Sequence, residues 1–363
     1  MAKRISVDKV LFAVTLLLVL IGVVMVFSAS AVMAKDRFGS PYAFFLRQLA
    51  WAVAGLAAMI VITKIDYRHY KHPAIVFGLL SITTLLLIAV FFFDRSHNTH
   101  RWLHIGLFSL QPSELAKPAI ILFLAYFLEN RLKTIDDWRG TLVPALIPSL
   151  MLAALIVKQP DLGTAIACIF ITASILFVAG LELRYFAYGA LASLPLLYLL
   201  IFRVGWRYKR ILAFMDPYAD PQGSGFHIIQ SLIAVSTGGI AGVGLMEGKQ
   251  KLFYLPEPHT DFIFSVISEE VGLLGSLAVV LLFAIFLYRG VRVAVHAPDQ
   301  FARFLATGIT AMVVVQALFN ISVVLGMLPT KGIPLPFISY GGTSLFITLA
   351  SVGVLLNISQ HAD

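Results

Sequence analysis

An acidic residue stands where an apolar segment begins, in the stretch 251–270 with the sequence KLFYLPEPHTDFIFSVISEE. Asp261 follows a His-Thr pair and precedes an apolar run that ends in Glu269 and Glu270. An ionisable side chain at membrane depth is costly, so its first interpretation is functional. A carboxylate placed there could act as a general base toward a hydroxyl group. The alternative is structural, because Asp is also a preferred residue for capping a helix N-terminus.

The helical period separates these three acids. At 100° per residue, Asp261 shares one helix face with small or polar residues, namely Ser265, Ser268 and Gly272. Glu269 lies at the edge of that face, whereas Glu270 points to the opposite side, about 13 Å further along the helix axis. A polar stripe on a membrane helix faces other helices or a water-filled cavity. We therefore assign the chemistry to Asp261, and helix packing or coupling to a partner to the two glutamates.

A second charged pair lies in RWLHIGLFSLQPSELAK, which runs from Arg101 to Lys117. Pro112 suits the first position of a helix, and Glu114 suits the third, where it caps the helix start. Capping does not explain Lys117, which lies one turn from Glu114 in a run that should be apolar. The pair is either a salt bridge that holds the helix in place or part of a charged cavity wall, and the sequence leaves both open.

Two short loops add further charge. In KQPDLGT, which spans Lys158 to Thr164, Asp161 is better explained as a helix cap. In LPTKGIPLPFISYGGTSL, residues 328–345, prolines and glycines predict an ordered non-helical loop whose one cation is Lys331.

Together these segments provide two candidate acids, Asp261 and Glu114, and a set of candidate cations: Arg101, Lys117, Lys158, Arg207, Lys209, Arg210 and Lys331. Acids beside several fixed cations suit a lipid-linked phosphate or pyrophosphate substrate. The sequence has no P-loop, GxSxG, HExxH or EF-hand spacing, so ATP hydrolysis, serine hydrolysis and zinc chemistry have no support.

The composition identifies the elements that must position these groups as membrane helices. The chain has 363 residues, of which 59% are hydrophobic and only 13% charged, and its mean hydropathy is +0.90. These values predict an all-α polytopic membrane protein that forms a single domain over residues 1–363. The single cysteine, Cys168, lies in an apolar run, which excludes a disulfide framework. The net charge of +8 is spread over short loops and does not indicate nucleic-acid binding.

Hydropathy predicts about ten spans, the first of which is a retained helix and not a signal peptide. Their approximate cores are 10–33, 44–63, 73–93, 113–128, 141–157, 162–180, 185–202, 262–288, 301–327 and 340–358. The one long connection, 203–260, contains a glycine-broken apolar second half, which we interpret as an interfacial or re-entrant helix.

The distribution of basic residues predicts the orientation of these spans. Lysines and arginines are more frequent beside the termini, where Lys3 and Arg4 lie, than on the opposite side, which carries Arg95. The positive-inside rule then predicts cytoplasmic termini and an outer-face site.

Four strings in order, QPSELAK, QPDLGT, KLFYLPEPHTDFIFSVISEE and LPTKGIPLPFISYGG, resemble the shape, elongation, division and sporulation (SEDS) family. The resemblance covers essentially the whole chain. LPTKG and QKLFYLPEPHTD favour the division (FtsW) branch over the elongation (RodA) branch. The chain departs from the family at residues 246–250, MEGKQ, which puts the shape of that loop in doubt.

The resemblance implies a ten-helix fold and peptidoglycan glycosyltransferase activity on lipid II at the outer face of a bacterial cytoplasmic (inner) membrane. It makes Asp261 the catalytic base, places Glu114 and Lys117 in the central cavity as catalytic residues, and assigns substrate binding to Arg101 and Lys331. To these substrate-binding residues we add His259, Arg207 and Lys158.

The resemblance also implies partners, namely a class B penicillin-binding protein with a single span, divisome or elongasome proteins, and membrane lipid. Its activity is associated with a divalent cation, Mg²⁺ or Mn²⁺. Two other functions stay open at this point: a lipid II flippase, and a non-catalytic scaffold for the penicillin-binding protein.

Overall fold

The computed structural model describes residues 7–93, 101–105 and 108–362, and it describes the backbone only for residues 104, 105 and 108. Lys3, Arg4 and Arg95, which entered the prediction of orientation, lie outside these ranges. Twelve α-helices form most of the described chain. They are α1 (Lys9–Phe38), α2 (Ala43–Lys64), α3 (Pro73–Phe93), α4 (Pro112–Leu128), α5 (Val143–Lys158), α6 (Leu162–Val178), α7 (Leu183–Phe202), α8 (Gly205–Met215), α9 (Phe226–Thr237), α10 (Ile263–Val295), α11 (Gln300–Val324) and α12 (Gly342–Ser359).

Shorter elements join these helices. Strands β1 (Leu103–Ile105) and β2 (Phe108–Leu110) form an antiparallel hairpin before α4. One-turn 3₁₀ helices span Tyr67–Lys71, Leu132–Thr134 and Pro217–Ala219, and a π-helical turn, Trp138–Leu142, leads into α5. The hairpin was not predicted, because three-residue strands leave no period in the sequence.

The predicted polytopic membrane architecture is confirmed. Within the described residues, eight helices are long and apolar enough to cross a membrane. They are α1, α2, α3, α5 with its preceding π turn, α7, α10, α11 and α12. Helices α4 and α6 have 17 residues each, so each is about 25 Å long, close to the thickness of the hydrocarbon core. These ten helices correspond to the ten predicted spans.

The centre of the bundle is formed by α4, α6 and α11, which pack on one another, while α2 packs along α12 and α10 along α11. Helix α7 is peripheral, since none of residues 183–202, all of which are described, is buried. It packs chiefly on α8, the helix that follows it.

The long connection contains two helices, where we predicted one. Helix α8 comes from the basic and aromatic start of the connection, for which no helix was predicted. Helix α9 lies within the predicted second-half helix, and the chain after it does not form an eleventh span.

The segment after α9 runs back along α10 and pairs with its backbone. The amides of Leu273 and Leu274 donate to the carbonyls of Gly239 and Ile240 at 2.9 and 3.2 Å. This pairing is possible because α10 is interrupted at Gly272, whose φ of 72° is accessible to glycine. The contact lies about 13 Å along α10 from its first residue, and the pairing satisfies irregular backbone that could not otherwise lie within a membrane.

Glu269 and Glu270 anchor the return of this segment. Glu270 accepts hydrogen bonds from Ser28 at 2.7 Å and from Lys251 at 2.5 Å, and all three side chains are buried. Glu269 accepts from the backbone amides of Lys249 at 2.8 Å and of the next residue at 3.2 Å. The two glutamates therefore hold the loop that leads to Asp261.

Candidate active site

A charged cavity of about 570 Å³ opens at one end of the bundle. The turn between α5 and α6, helix α8, the start of α10 and the loop after α11 all contribute to its wall. Its charged lining residues within the described chain are Arg101, Asp161, Arg207, Arg210, Asp261 and Lys331. A second cavity of about 300 Å³ adjoins it and shares Arg210, Asp261 and Lys331. Four cations and two carboxylates thus face one space, which suits a substrate with more than one negative charge.

Asp261 is not the cap of α10. The helix begins at Ile263 with Phe262 as its N-cap residue, and no side chain caps it. Among the described residues, no hydrogen-bond donor reaches the Asp261 carboxylate. A Cβ atom at Gly332 would lie 2.7 Å from Asp261 Oδ2, so glycine at this position leaves room for the acid. The carboxylate is therefore available to accept a proton from a bound molecule.

The surroundings of Asp261 raise its pKa to about 7. Burial is the largest cause, and the nearby Glu257 carboxylate acts in the same direction. The guanidinium groups of Arg101 and Arg210 oppose the shift. A carboxyl group that titrates near neutral pH is matched to general base catalysis.

A side chain of α11 holds the backbone of Asp261 in place by hydrogen bonds. The amide nitrogen of Asn320 donates to the carbonyl of Asp261 at 2.8 Å and to that of Ile333 at 2.7 Å. One side chain thereby ties the turn before α10 to the loop after α11. The Ser339 hydroxyl adds a second tie, since it donates to the carbonyl of Thr260 at 2.6 Å.

Glu114 and Lys117 form a buried salt bridge of 2.9 Å, and each side chain is 2% exposed. Neither lines the charged cavity, so the structure does not bring this predicted catalytic pair to Asp261. Lys117 also donates to Gln316 at 2.8 Å, and Gln316 donates to the carbonyl of Pro334 at 3.1 Å. Because Gln316 lies one turn before Asn320 on α11, the pair supports the same loop from within the bundle.

Backbone carbonyls hold two of the cavity arginines in place. Arg207 donates to Leu200 at 2.9 Å, and Arg210 donates to Thr330 at 3.2 Å. Both guanidinium groups lie 5.1 Å from the centre of the Trp206 ring, which orients them further.

Arg101 and Lys331 lie at the other walls of the cavity. Arg101 donates to the carbonyls of Gln159 at 3.2 Å and of Pro160 at 2.5 Å. Burial lowers the pKa of Lys331 to about 8; Asp161 opposes this shift, and the two arginines of α8 add to it.

Two predicted substrate-binding residues lie outside the cavity. Lys158 is exposed, with its ammonium 5.7 Å from the centre of the Phe91 ring. The ring of His259 is buried between Phe44 at 4.6 Å and Tyr340 at 5.5 Å. Burial lowers the pKa of His259 to about 4, so the imidazole is neutral at physiological pH. The structure therefore assigns His259 to packing of the loop and Lys158 to the surface.

Two cavity residues were not selected from the sequence. Asp161 was interpreted as a cap, and it is one, since its carboxylate accepts from the Thr164 amide at 3.1 Å and hydroxyl at 2.8 Å. It also lines the cavity. Arg210 was counted among the candidate cations only. Its position three residues after Arg207 was a usable signal, because i and i+3 share a helix face.

Comparison with known proteins places this site in context. The model of a family described as cell cycle proteins of the FtsW, RodA and SpoVE type matches residues 8–363. A "Probable peptidoglycan glycosyltransferase FtsW" from Geobacter metallireducens is 45% identical over 357 residues, which cover 98% of this chain and 95% of the relative. "Stage V sporulation protein E" from Bacillus subtilis is 43% identical over 361 residues, which cover 99% of both chains.

Solved structures show the same fold. A chain from the work described as "Structural coordination of polymerization and crosslinking by a peptidoglycan synthase complex" superimposes with a TM-score of 0.80 and 31% identity, covering 97% of both chains. The rod shape determining protein RodA from Thermus thermophilus superimposes with a TM-score of 0.71 and 27% identity, covering 97% of this chain and 96% of RodA.

Proposed function

Because the chain belongs to the FtsW, RodA and SpoVE family of cell cycle proteins, we propose that it is a peptidoglycan glycosyltransferase that polymerises lipid II. The observation that carries this proposal is a carboxylate that accepts no hydrogen bond from the described residues and shares a 570 Å³ cavity with four cations. That combination provides a base for a sugar hydroxyl and positive charge for a pyrophosphate leaving group.

The reaction is an inverting transfer. Asp261 removes the proton of the acceptor hydroxyl, and the oxygen attacks the anomeric carbon of the donor sugar. The new glycosidic bond forms as the bond to the lipid pyrophosphate breaks, and the leaving pyrophosphate takes the electron pair. Arg101, Arg207, Arg210 and Lys331 stabilise its developing charge.

Glu114 and Lys117 act as positioning residues in this proposal. Their buried pair orients Gln316, which contacts the loop that carries Lys331. A charged pair that has already lost its hydration shell is rigid, because separating it would leave an unpaired charge in the interior.

A divalent cation would be shared between protein and substrate. Among the described residues, no group of three or more His, Cys, Asp or Glu could hold a metal ion. Mg²⁺ usually binds through one or two carboxylates together with substrate phosphates. Asp161 and Asp261 are the carboxylates in the cavity that could contribute, and a bound ion would neutralise charge on the pyrophosphate.

We place the cavity at the outer face of the bacterial cytoplasmic membrane and both termini in the cytoplasm. The basic residues beside the termini and at the ends of helices opposite the cavity support this orientation. Lipid II polymerisation then occurs on the side where the cell wall is assembled.

The partner in this proposal is a class B penicillin-binding protein with a single span, within the divisome or the elongasome. A related structure is described as part of a complex that coordinates polymerization and crosslinking, which supports a crosslinking partner. The FtsW relatives at 40–45% identity favour a role in division.

Purified protein with its partner and fluorescent lipid II, reconstituted in vesicles, tests the function. The proposal expects glycan polymer on a gel. Transfer of labelled lipid II across the bilayer with no polymer would contradict it and would favour the flippase. Neither polymer nor transfer would favour the scaffold.

A further inference from the structure

An apolar groove of about 550 Å³ lies at the end of the bundle opposite the charged cavity. One face of α11, from Arg303 to Val315, forms its floor, and residues of α6, α7 and α10 form its walls. The floor extends over twelve residue steps of about 1.5 Å each, so it is about 18 Å long. One leaflet of the hydrocarbon core is about 15 Å thick, so the groove spans roughly one leaflet.

Arg303 marks the end of the groove farthest from the charged cavity, and its guanidinium has no hydrogen-bond or ion-pair partner among the described residues. Its side chain is half-buried, and no carboxylate lies within salt-bridge distance of it. The nearest acid along the helix, Asp299, is occupied: one oxygen accepts from the Ala302 amide at 2.8 Å and the other from the Tyr67 hydroxyl at 2.6 Å. A guanidinium that is partly desolvated and lacks a carboxylate partner indicates an anionic ligand.

We propose that this groove binds one anionic phospholipid of the leaflet opposite the cavity. The lipid phosphate contacts the Arg303 guanidinium, and one acyl chain lies along α11 between α6 and α10. The Arg303 guanidinium favours a lipid with net negative charge, such as phosphatidylglycerol, over a zwitterionic one, whose own cation it would repel.

The length and chemistry of the groove favour an acyl chain over a helix from another protein. The groove walls are mostly aliphatic or aromatic, and Arg303 is the one charged residue among the described lining residues. An apolar channel about one leaflet long that ends in a guanidinium matches an acyl chain joined to a phosphate.

Native mass spectrometry of the full chain, with equal amounts of dioleoyl-phosphatidylglycerol and dioleoyl-phosphatidylcholine, tests this proposal. The wild type should retain one phosphatidylglycerol in clear preference to phosphatidylcholine. Arg303→Gln should weaken its retention roughly tenfold, in line with the loss of one charge-assisted contact. Arg139→Gln is the matched control, because Arg139 is an exposed arginine at the same end of the bundle that does not line the groove.

Two variants block the groove and leave Arg303 in place. Ala311→Phe fills it from α11, and Ser174→Phe fills it from α6. Each should abolish the preferential retention, and thermal unfolding identifies a variant that has lost its fold. Equal retention of the two lipids by the wild type, or wild-type retention by Arg303→Gln or by both folded blocking variants, would overturn the proposal. A protein recovered in place of lipid would do the same.

Discussion

The rate of polymerisation should depend on pH as a narrow bell-shaped curve. Asp261 must be deprotonated to act as a base, and its pKa is raised to about 7, whereas a solvated aspartate titrates near 4. Lys331 must be charged to stabilise pyrophosphate, and its pKa is lowered to about 8. Activity therefore falls as pH decreases through 7 and again as pH increases through 8. The active fraction drops roughly sevenfold from pH 7.5 to pH 6, and by a similar factor from pH 7.5 to pH 9.

Neighbouring charges give this prediction a direction for each variant. Glu257→Gln removes a negative charge that raises the pKa of Asp261, so the acid limb should move to lower pH. The displacement should be on the order of half a pH unit, because a charge near the surface acts through a high effective dielectric constant. Arg210→Gln removes an opposing positive charge and should move the same limb to higher pH. Lys331→Arg should remove only the alkaline limb, since Arg stays protonated.

Initial rates of lipid II polymerisation between pH 5.5 and 9 measure these limbs, and their midpoints are compared independently of plateau rates. A profile that stays flat from pH 5.5 to 8 would refute the assignment of Asp261 as a base with a raised pKa. Displacement of the acid limb in the same direction by Glu257→Gln and Arg210→Gln would refute the electrostatic reasoning.

Four other variants test how the site is held and which cations face the substrate. Asn320→Leu removes two hydrogen bonds of about 1 kcal/mol each, so kcat should fall by roughly ten- to a hundredfold; an unchanged rate would show that the tie to Asp261 is unnecessary. Glu270→Gln leaves Lys251 buried without a counter-charge and should destabilise the fold by about 3–5 kcal/mol; unchanged thermal unfolding would contradict the anchoring role. Lys331→Gln should lower kcat/KM for lipid II about tenfold, whereas Lys158→Gln should leave it unchanged; equal effects would contradict the mapping of the cavity.

The membrane spans and part of the cavity could be predicted because they depend on composition and order. A run of about 20 apolar residues has few alternatives to a membrane helix. Residues such as Asp261, Arg101 and Lys331 lie at span ends on one predicted side, so their convergence follows from connectivity. Asp261 could be selected as the base in the same way, because it directly precedes a predicted span.

The direction of side chains and the density of packing could not be predicted from sequence patterns. Glu114 and Lys117 were expected to face the interior, but period alone does not distinguish a packed interior from a cavity at that depth. Lys158 and His259 were assigned by type and neighbourhood, and their side chains lie away from the cavity. The second role of Asp161 was missed because capping already accounted for it.

The architecture of the long loop also required long-range contacts. The break at Gly272 has no local signal in an apolar run, since glycine is common in membrane helices. It is explained only by the carbonyls of Gly239 and Ile240, more than thirty residues earlier, which pair with α10 there.

Polymerisation of lipid II by Asp261→Asn, purified with its partner, tests the central claim most directly. Asn keeps the size of the side chain and removes its basicity, so glycan polymer should be lost while thermal unfolding and partner binding stay as in the wild type. Lys158→Gln, a change outside the cavity, serves as the control and should polymerise normally. Polymer from Asp261→Asn at the wild-type rate would contradict the account.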